Sequence, residues 1–277
     1  LTGLLGSGFS FVTRSLFTQT ELPFLLVFNN KEEAAYYLND MEQLVGEKDV
    51  LFYPASFRRP YQIEETDNAN VLLRAEVLNR INSRKKPAVI VTYPEALFEK
   101  VVTRKELDKN TLKVAVNDKI SIDFINEVLF EYEFKRVDFI TEPGEFSVRG
   151  GIVDVFSFSN DNPYRIEFFG NEVESIRTFD VATQLSIETK KKITIIPNVE
   201  NSFFQENRES FLDYISPQTV IFIQNTELLL ADLDKHFGKA EEAFAKLSQE
   251  IKRATPEQLF LNQASFIKRA LDFSVVE

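Results

Sequence analysis

The sequence predicts an α/β chain in which a parallel-sheet domain is interrupted by an inserted antiparallel, β-rich α+β domain. Three observations carry this. From residue 1 to about 110, short apolar runs alternate with helical patterns; after about 111 short strands follow one another; beyond Pro197 helix and strand alternate again. Near-continuous apolar strands separated by helices indicate a parallel sheet covered on both faces. A chain of 277 residues is also expected to hold more than one core, because a single core is exhausted by roughly 250 residues. The expected division is 1–110, the first part of the larger domain; 111–198, the insertion; and 199–277, its second part.

The elements follow in order. Pro23 to Phe28, Asp49 to Ala55 and Ala88 to Tyr93 read as buried strands, with helices around 31–45 and 69–84 between them. A helix beginning near Ser121 places Ile122, Ile125, Val128 and Leu129 on one face. Strands are then expected at Asp138 to Arg149, Ile152 to Phe158, Tyr164 to Phe169, Val173 to Phe179 and Ile193 to Ile196. Gly170-Asn171 suits a tight two-residue hairpin. The last part should hold a helix at about 205–215, a strand Thr219 to Gln224, a long helix from 226 and another helix after Thr255. Thr255-Pro-Glu-Gln258 supplies a hydroxyl cap, a proline at the first helical position and a capping-box partner at the third.

Composition excludes several functions. Hydrophobic residues at 44% and charged residues at 27% describe an ordinary globular chain. With no Cys and one His, His236, neither a disulfide framework nor a thiolate or histidine-rich metal site can be built, so no metal and no cofactor are expected. The lone His also removes the usual Ser/His or Cys/His nucleophile pairing, and no pair of carboxylates stands out from the acidic surface. A net charge of -11 opposes general affinity for a phosphate backbone. No apolar run approaches the ~20 residues that span a bilayer, and the cytoplasm is the expected compartment. The apolar, glycine-bearing start at Leu1 and the end at Glu277 suggest a fragment of something longer.

One motif has the outline of chemistry. Gly3, Gly6, Ser7, Gly8, Phe9 and Ser10 precede a helical pattern, as in a phosphate-binding loop at a helix N-terminus. Phe9 stands where such a loop needs Lys, so the cradle lacks its positive charge and no ATP hydrolysis is expected. On spacing alone, the stretch reads equally as a helix-entry turn, and a site for some small phosphorylated ligand stays open.

The stretch Glu142-Pro-Gly-Glu-Phe-Ser-Val-Arg-Gly-Gly-Ile-Val-Asp-Val-Phe156, followed by Pro163-Tyr-Arg-Ile-Glu-Phe-Phe-Gly-Asn-Glu-Val-Glu-Ser-Ile-Arg-Thr-Phe-Asp180, resembles the transcription-repair coupling factor family and the related module of the excision-repair helicase UvrB. The shared order is an Arg-Gly leading into a strand ending Asp-x-Phe, an Arg-x-Glu/Asp-Phe-Phe strand, a hairpin and an Arg-x-Phe-Asp strand. The resemblance covers essentially the whole chain, most weakly after Pro197. UvrB keeps the loop Lys replaced here by Phe9, and it inserts an aromatic-rich hairpin where this chain passes quickly from Tyr61 to a helix near Ala69. These departures favour the coupling factors. The resemblance implies a degenerate P-loop (RecA-like) domain carrying a docking domain for UvrA. It also implies that RNA polymerase and DNA are engaged only by other parts of the full-length protein, an ATP-dependent DNA translocase. The alternative is a UvrB-like, nucleotide-dependent DNA-remodelling enzyme.

Alternation along Tyr164 to Phe169 puts Tyr164, Ile166 and Phe168 on one face and Arg165, Glu167 and Phe169 on the other. In Phe146 to Arg149 it buries Phe146 and Val148 and exposes Ser147 and Arg149. Arginine and aromatic side chains on an exposed sheet are the usual anchors of protein interfaces. From the pattern alone, Phe169 reads more readily as a core residue than as an anchor, and each arginine as an ordinary surface charge. The resemblance implies that Arg149, Arg165 and Phe169 contact UvrA. Arg177 lies on a strand without clean alternation and is not assigned.

Overall fold

The computed structural model describes residue 4 and residues 6–56, 68–83, 86–158, 160–197, 208–246 and 254–277. The chain forms two compact units, Leu1–Thr103 with Ser202–Glu277, and Arg104–Asn201. The first unit begins with α1 (Gly8–Thr20), β1 (Phe24–Val27), α2 (Lys31–Val45), β2 (Val50–Phe52), α3 (Asn68–Ser83), β3 (Val89–Thr92), α4 (Pro94–Phe98) and β4 (Val101–Val102). The second holds α5 (Arg104–Lys109), β5 (Leu112–Ala115), α6 (Ile122–Glu131), β6 (Lys135–Arg136), β7 (Glu145–Arg149), β8 (Ile152–Val155), β9 (Tyr164–Phe169), β10 (Glu172–Phe179), β11 (Ser186–Thr189) and β12 (Lys192–Ile195). The first unit resumes with β13 (Arg208–Glu209), α7 (Phe211–Tyr214), β14 (Val220–Ile223), α8 (Thr226–Ala245), α9 (Pro256–Leu259), α10 (Gln263–Ala270) and β15 (Ser274–Val276).

In the first unit a parallel sheet runs in the order β15-β14-β1-β3-β2. All four residues of β1 and of β3 are buried, which is why these strands read as unbroken apolar runs. The strands β14 and β15, from the end of the chain, join the sheet beside β1. Helices start directly after β1 and β14, where Asn30 accepts from the Glu33 amide and Asn225 from the Leu228 amide. The capping box at Thr255 and Gln258 forms, but α9 is a single turn. Phe260 then goes extended, bridges Glu99 and stacks on Phe98 at 4.5 Å, so its burial ends the helix before α10 begins. The helix expected at 205–215 is likewise only α7, with 205–207 outside the described residues; residue 84, expected to end α3, also lies outside them. Tyr61, where the chain passes toward α3, lies outside them too.

A buried ion pair fixes the strand end before α3. Arg74 and Glu99, 0% and 2% exposed, meet at 3.3 Å. Glu99 also accepts from the amide and hydroxyl of Ser56, and the Arg74 guanidinium lies 4.4 Å from the Tyr53 ring centroid.

In the second unit a six-stranded sheet runs β11-β10-β9-β8-β7-β6, antiparallel except where β6 pairs with β7. β5 and β12 form a separate antiparallel ribbon. Ile125 and Leu129 of α6 are buried, as are Phe146, Val153, Val155, Ile166 and Ile176 of the sheet, and Phe130 meets Phe146 edge-on at 5.2 Å. The strand expected over 138–149 is not continuous. Glu145 accepts from the amide and hydroxyl of Thr141 and the amide of Glu142, closing a turn at which Gly144 adopts φ +89 against the Phe158 ring. Among the described residues, no helix is long and apolar enough to cross a membrane.

Candidate functional site

The outward face of the six-stranded sheet is built from two cross-strand rows. Register places Arg177, Arg165, Asp154 and Ser147 side by side on β10, β9, β8 and β7. The next row holds Ser175, Glu167, Ile152 and Arg149. Along β9 the alternation is clean: Tyr164, Ile166 and Phe168 are buried, Arg165 and Glu167 are half-buried, and Phe169 is 80% exposed. Phe169 sits at the end of its strand because Gly170, at φ +63, turns the chain into β10. On β10 a bulge between Val173 and Ser175 breaks the alternation, which explains why that strand gives no period-2 signal.

Asp154 organises the charged rows. Its carboxylate is only 2% exposed and accepts from Arg165 Nε and Nη2 at 2.7 and 2.8 Å. Arg149 Nη2 donates to the same carboxylate at 2.6 Å. Arg165 also donates to Gln184 Oε1 at 3.2 Å, and its guanidinium lies 4.3 Å from the ring centroid of Phe179. The hydrogen bond to Asp154 raises the pKa of Arg165 further above its ordinary value, against the effect of burial. Arg177 pairs with Glu167, which also accepts from the Ser175 hydroxyl at 2.6 Å.

Arg149 and Arg165 therefore share one face and one carboxylate, with Phe169 at the same face's hairpin end. They differ in commitment. Arg165 is largely covered, whereas Arg149 keeps 43% of its side chain exposed. Ser147, expected to be exposed, is buried: its hydroxyl donates to the Asp138 carbonyl at 3.1 Å, and Asp154 lies opposite it on β8. Val148 is half-buried. Asp154 escapes a reading of single strands because its partners lie on the two neighbouring strands. The alternation Ile152-Val-Asp-Val is the signal that could have placed it on this face.

The glycine-bearing start sits in the first unit. Gly3 lies outside the described residues. Gly6 adopts φ +55, Ser7 precedes the helix and Gly8 is the first residue of α1. Phe9 packs edge-on against Phe28, Tyr37 and Phe222, with centroid distances of 5.8, 5.5 and 6.2 Å. The Ser10 hydroxyl is buried and donates to Asp40 Oδ2 at 2.9 Å. These rings border a cavity of about 160 Å³ at the carboxyl ends of β1 and β14, lined by Gln224 and Glu277 among others and by no Lys or Arg among the described residues. Such a lining offers a phosphate no counter-charge.

Residues 112–200 match the family model described as the UvrB interaction domain, and Arg149, Arg165 and Phe169 all fall inside that span. The chain is 34% identical over 201 residues to the transcription-repair-coupling factor of Bacillus subtilis (strain 168), an alignment covering 72% of this chain and 17% of that protein. It is 29% identical over 204 residues to the factor of Rickettsia bellii, covering 73% and 18%. With that of Myxococcus xanthus it shares 28% over 212 residues, covering 74% and 18%. The matched stretch thus spans less than a fifth of the length of these curated relatives.

Proposed function

The chain is a relative of the transcription-repair-coupling factors that carries a UvrB interaction domain, and from that premise we propose that it is the non-catalytic N-terminal module of such a factor. In this reading it recruits UvrA, in the cytoplasm, to transcription complexes stalled at DNA damage, and so serves nucleotide excision repair. RNA polymerase and DNA are engaged by the rest of the whole protein.

The observation that carries the reading is the 80% exposed ring of Phe169 at the hairpin end of the face that holds Arg149 and Arg165, within the matched domain. Covering a fully exposed Phe is worth about 1.5–3 kcal/mol, and Arg beside an aromatic ring is a common pair of interface anchors. Arg149 is the arginine best placed to meet a carboxylate of the partner, since 43% of its side chain faces solvent.

Silence toward nucleotide is supported by the loop's chemistry: Phe9 fills an aromatic cluster where Lys is required, and Ser10 is engaged by Asp40. A nucleotide-dependent remodeller would have to bind magnesium nucleotide without either group. Calorimetric titration with purified UvrA tests the docking reading. Binding that is lost on Phe169→Ala and Arg149→Ala supports it, and a folded, unchanged chain that does not bind overturns it.

A further inference from the structure

Phe139 is a second aromatic ring left in solvent beside the same face, 66% exposed. It is held there from both sides. The Val137 amide donates to the Phe146 carbonyl at 2.9 Å, and the Asp138 carbonyl accepts from the buried Ser147 hydroxyl at 3.1 Å. On the other side Ile140 is buried, and the Thr141 amide donates to Glu145 at 2.7 Å. The bend turns Ile140 to the core and leaves Phe139 on the solvent side. The ring's identifiable neighbour is Arg149, whose guanidinium carbon lies 5.4 Å from its centroid, within cation–π range.

We infer that Phe139 is a docking residue: with Arg149 it forms a composite anchor that extends the Phe169 face across β7 toward the β6 edge of the sheet. Arg149 pairs with Ile152 in register, and the Gly150-Gly151 turn that follows carries no side chain. The patch is therefore Phe139, Arg149 and Ile152, with Phe169 at the hairpin end beyond Glu167. A surface of this composition fits a protein that presents a carboxylate flanked by aliphatic side chains: the acid meets Arg149 while the aliphatic groups cover the two rings. The inference rests on the docking function proposed above and adds a residue to it.

The test is titration of the chain with UvrA, comparing Phe139→Ala, Phe139→Leu, Arg149→Ala and the double variant Phe139→Ala/Arg149→Ala. Phe139→Ala is expected to weaken binding about tenfold or more, as truncation of an interface anchor does, at an unchanged thermal midpoint. Phe139→Leu should lose less, since it keeps apolar area but not the ring. The double variant should lose less than the product of the single effects, because the two groups act as one unit. Hydrogen exchange should slow at 138–140 on addition of UvrA to the unchanged chain. If Phe139→Ala binds within about twofold of the unchanged chain while Phe169→Ala does not bind, the inference fails and the docking reading stands. If the unchanged chain does not bind UvrA, both fail.

Discussion

Arg165 grips Asp154 through two parallel hydrogen bonds, Nε to Oδ1 at 2.7 Å and Nη2 to Oδ2 at 2.8 Å, and so turns a buried acid into the keystone of an exposed face. The arrangement is planar and bidentate, which Arg but not Lys can make. It commits two guanidinium nitrogens of Arg165 to Asp154, and the same carboxylate accepts from Arg149 Nη2 at 2.6 Å.

Asp154→Asn is therefore expected to weaken UvrA binding even though Asp154 is almost wholly buried. It should also destabilise the second unit, by about 3 kcal/mol, because two guanidinium groups lose their shared counter-charge. Urea unfolding and calorimetry on the same protein check both effects. An Asn variant that binds and unfolds like the unchanged chain would refute the keystone role.

Glu145 gives the second unit an acid-sensitive turn. Burial alone would raise its pKa, but hydrogen bonds from Thr141 and Glu142 outweigh it and hold the carboxyl below its ordinary value of 4.5. A group whose folded pKa is depressed contributes stability above its unfolded value and loses it as pH falls through the folded one. Stability should therefore decline as pH drops below 4.5. Glu145→Gln should flatten that limb of a stability-against-pH curve.

Placing a lysine at position 9 should not confer nucleotide binding. Phe9→Lys removes a ring that packs against three others and places an ammonium among them, so the thermal midpoint should fall, by the equivalent of about 3 kcal/mol. Magnesium ATP should produce no thermal stabilisation in either protein, since Ser10 remains engaged by Asp40.

Glu99→Ala should be among the most destabilising single changes in the first unit. It strands the buried Arg74 charge and releases both donors of Ser56, at a cost of about 3–5 kcal/mol. Urea unfolding measures it; a cost below about 1 kcal/mol would mean that Arg74 is adequately held without Glu99.

The parts of the fold that were legible in the sequence are those governed by local pattern. β1 and β3 read as buried because every residue in them is apolar or small, and β9 because its alternation is uninterrupted. What stayed hidden depends on neighbours distant in sequence. The bulge at Val173 to Ser175 disguises the face on which Arg177 lies. Phe139 looked like part of a continuous strand because the clamp formed by Ser147 and Glu145 is not visible in a strand pattern. Ser147 looked exposed because alternation cannot foresee a hydroxyl bonded to a carbonyl nine residues back. β11 went unread since all four of its residues are exposed.

The most direct measurement is calorimetric titration of UvrA into the unchanged chain and into Phe169→Ala, whose ring is exposed enough to be removed without harm to the fold. A saturable binding isotherm is expected for the first and a loss of about 100-fold or more for the second. Equal affinity for both, or no binding by the unchanged chain, would overturn the docking role of this face.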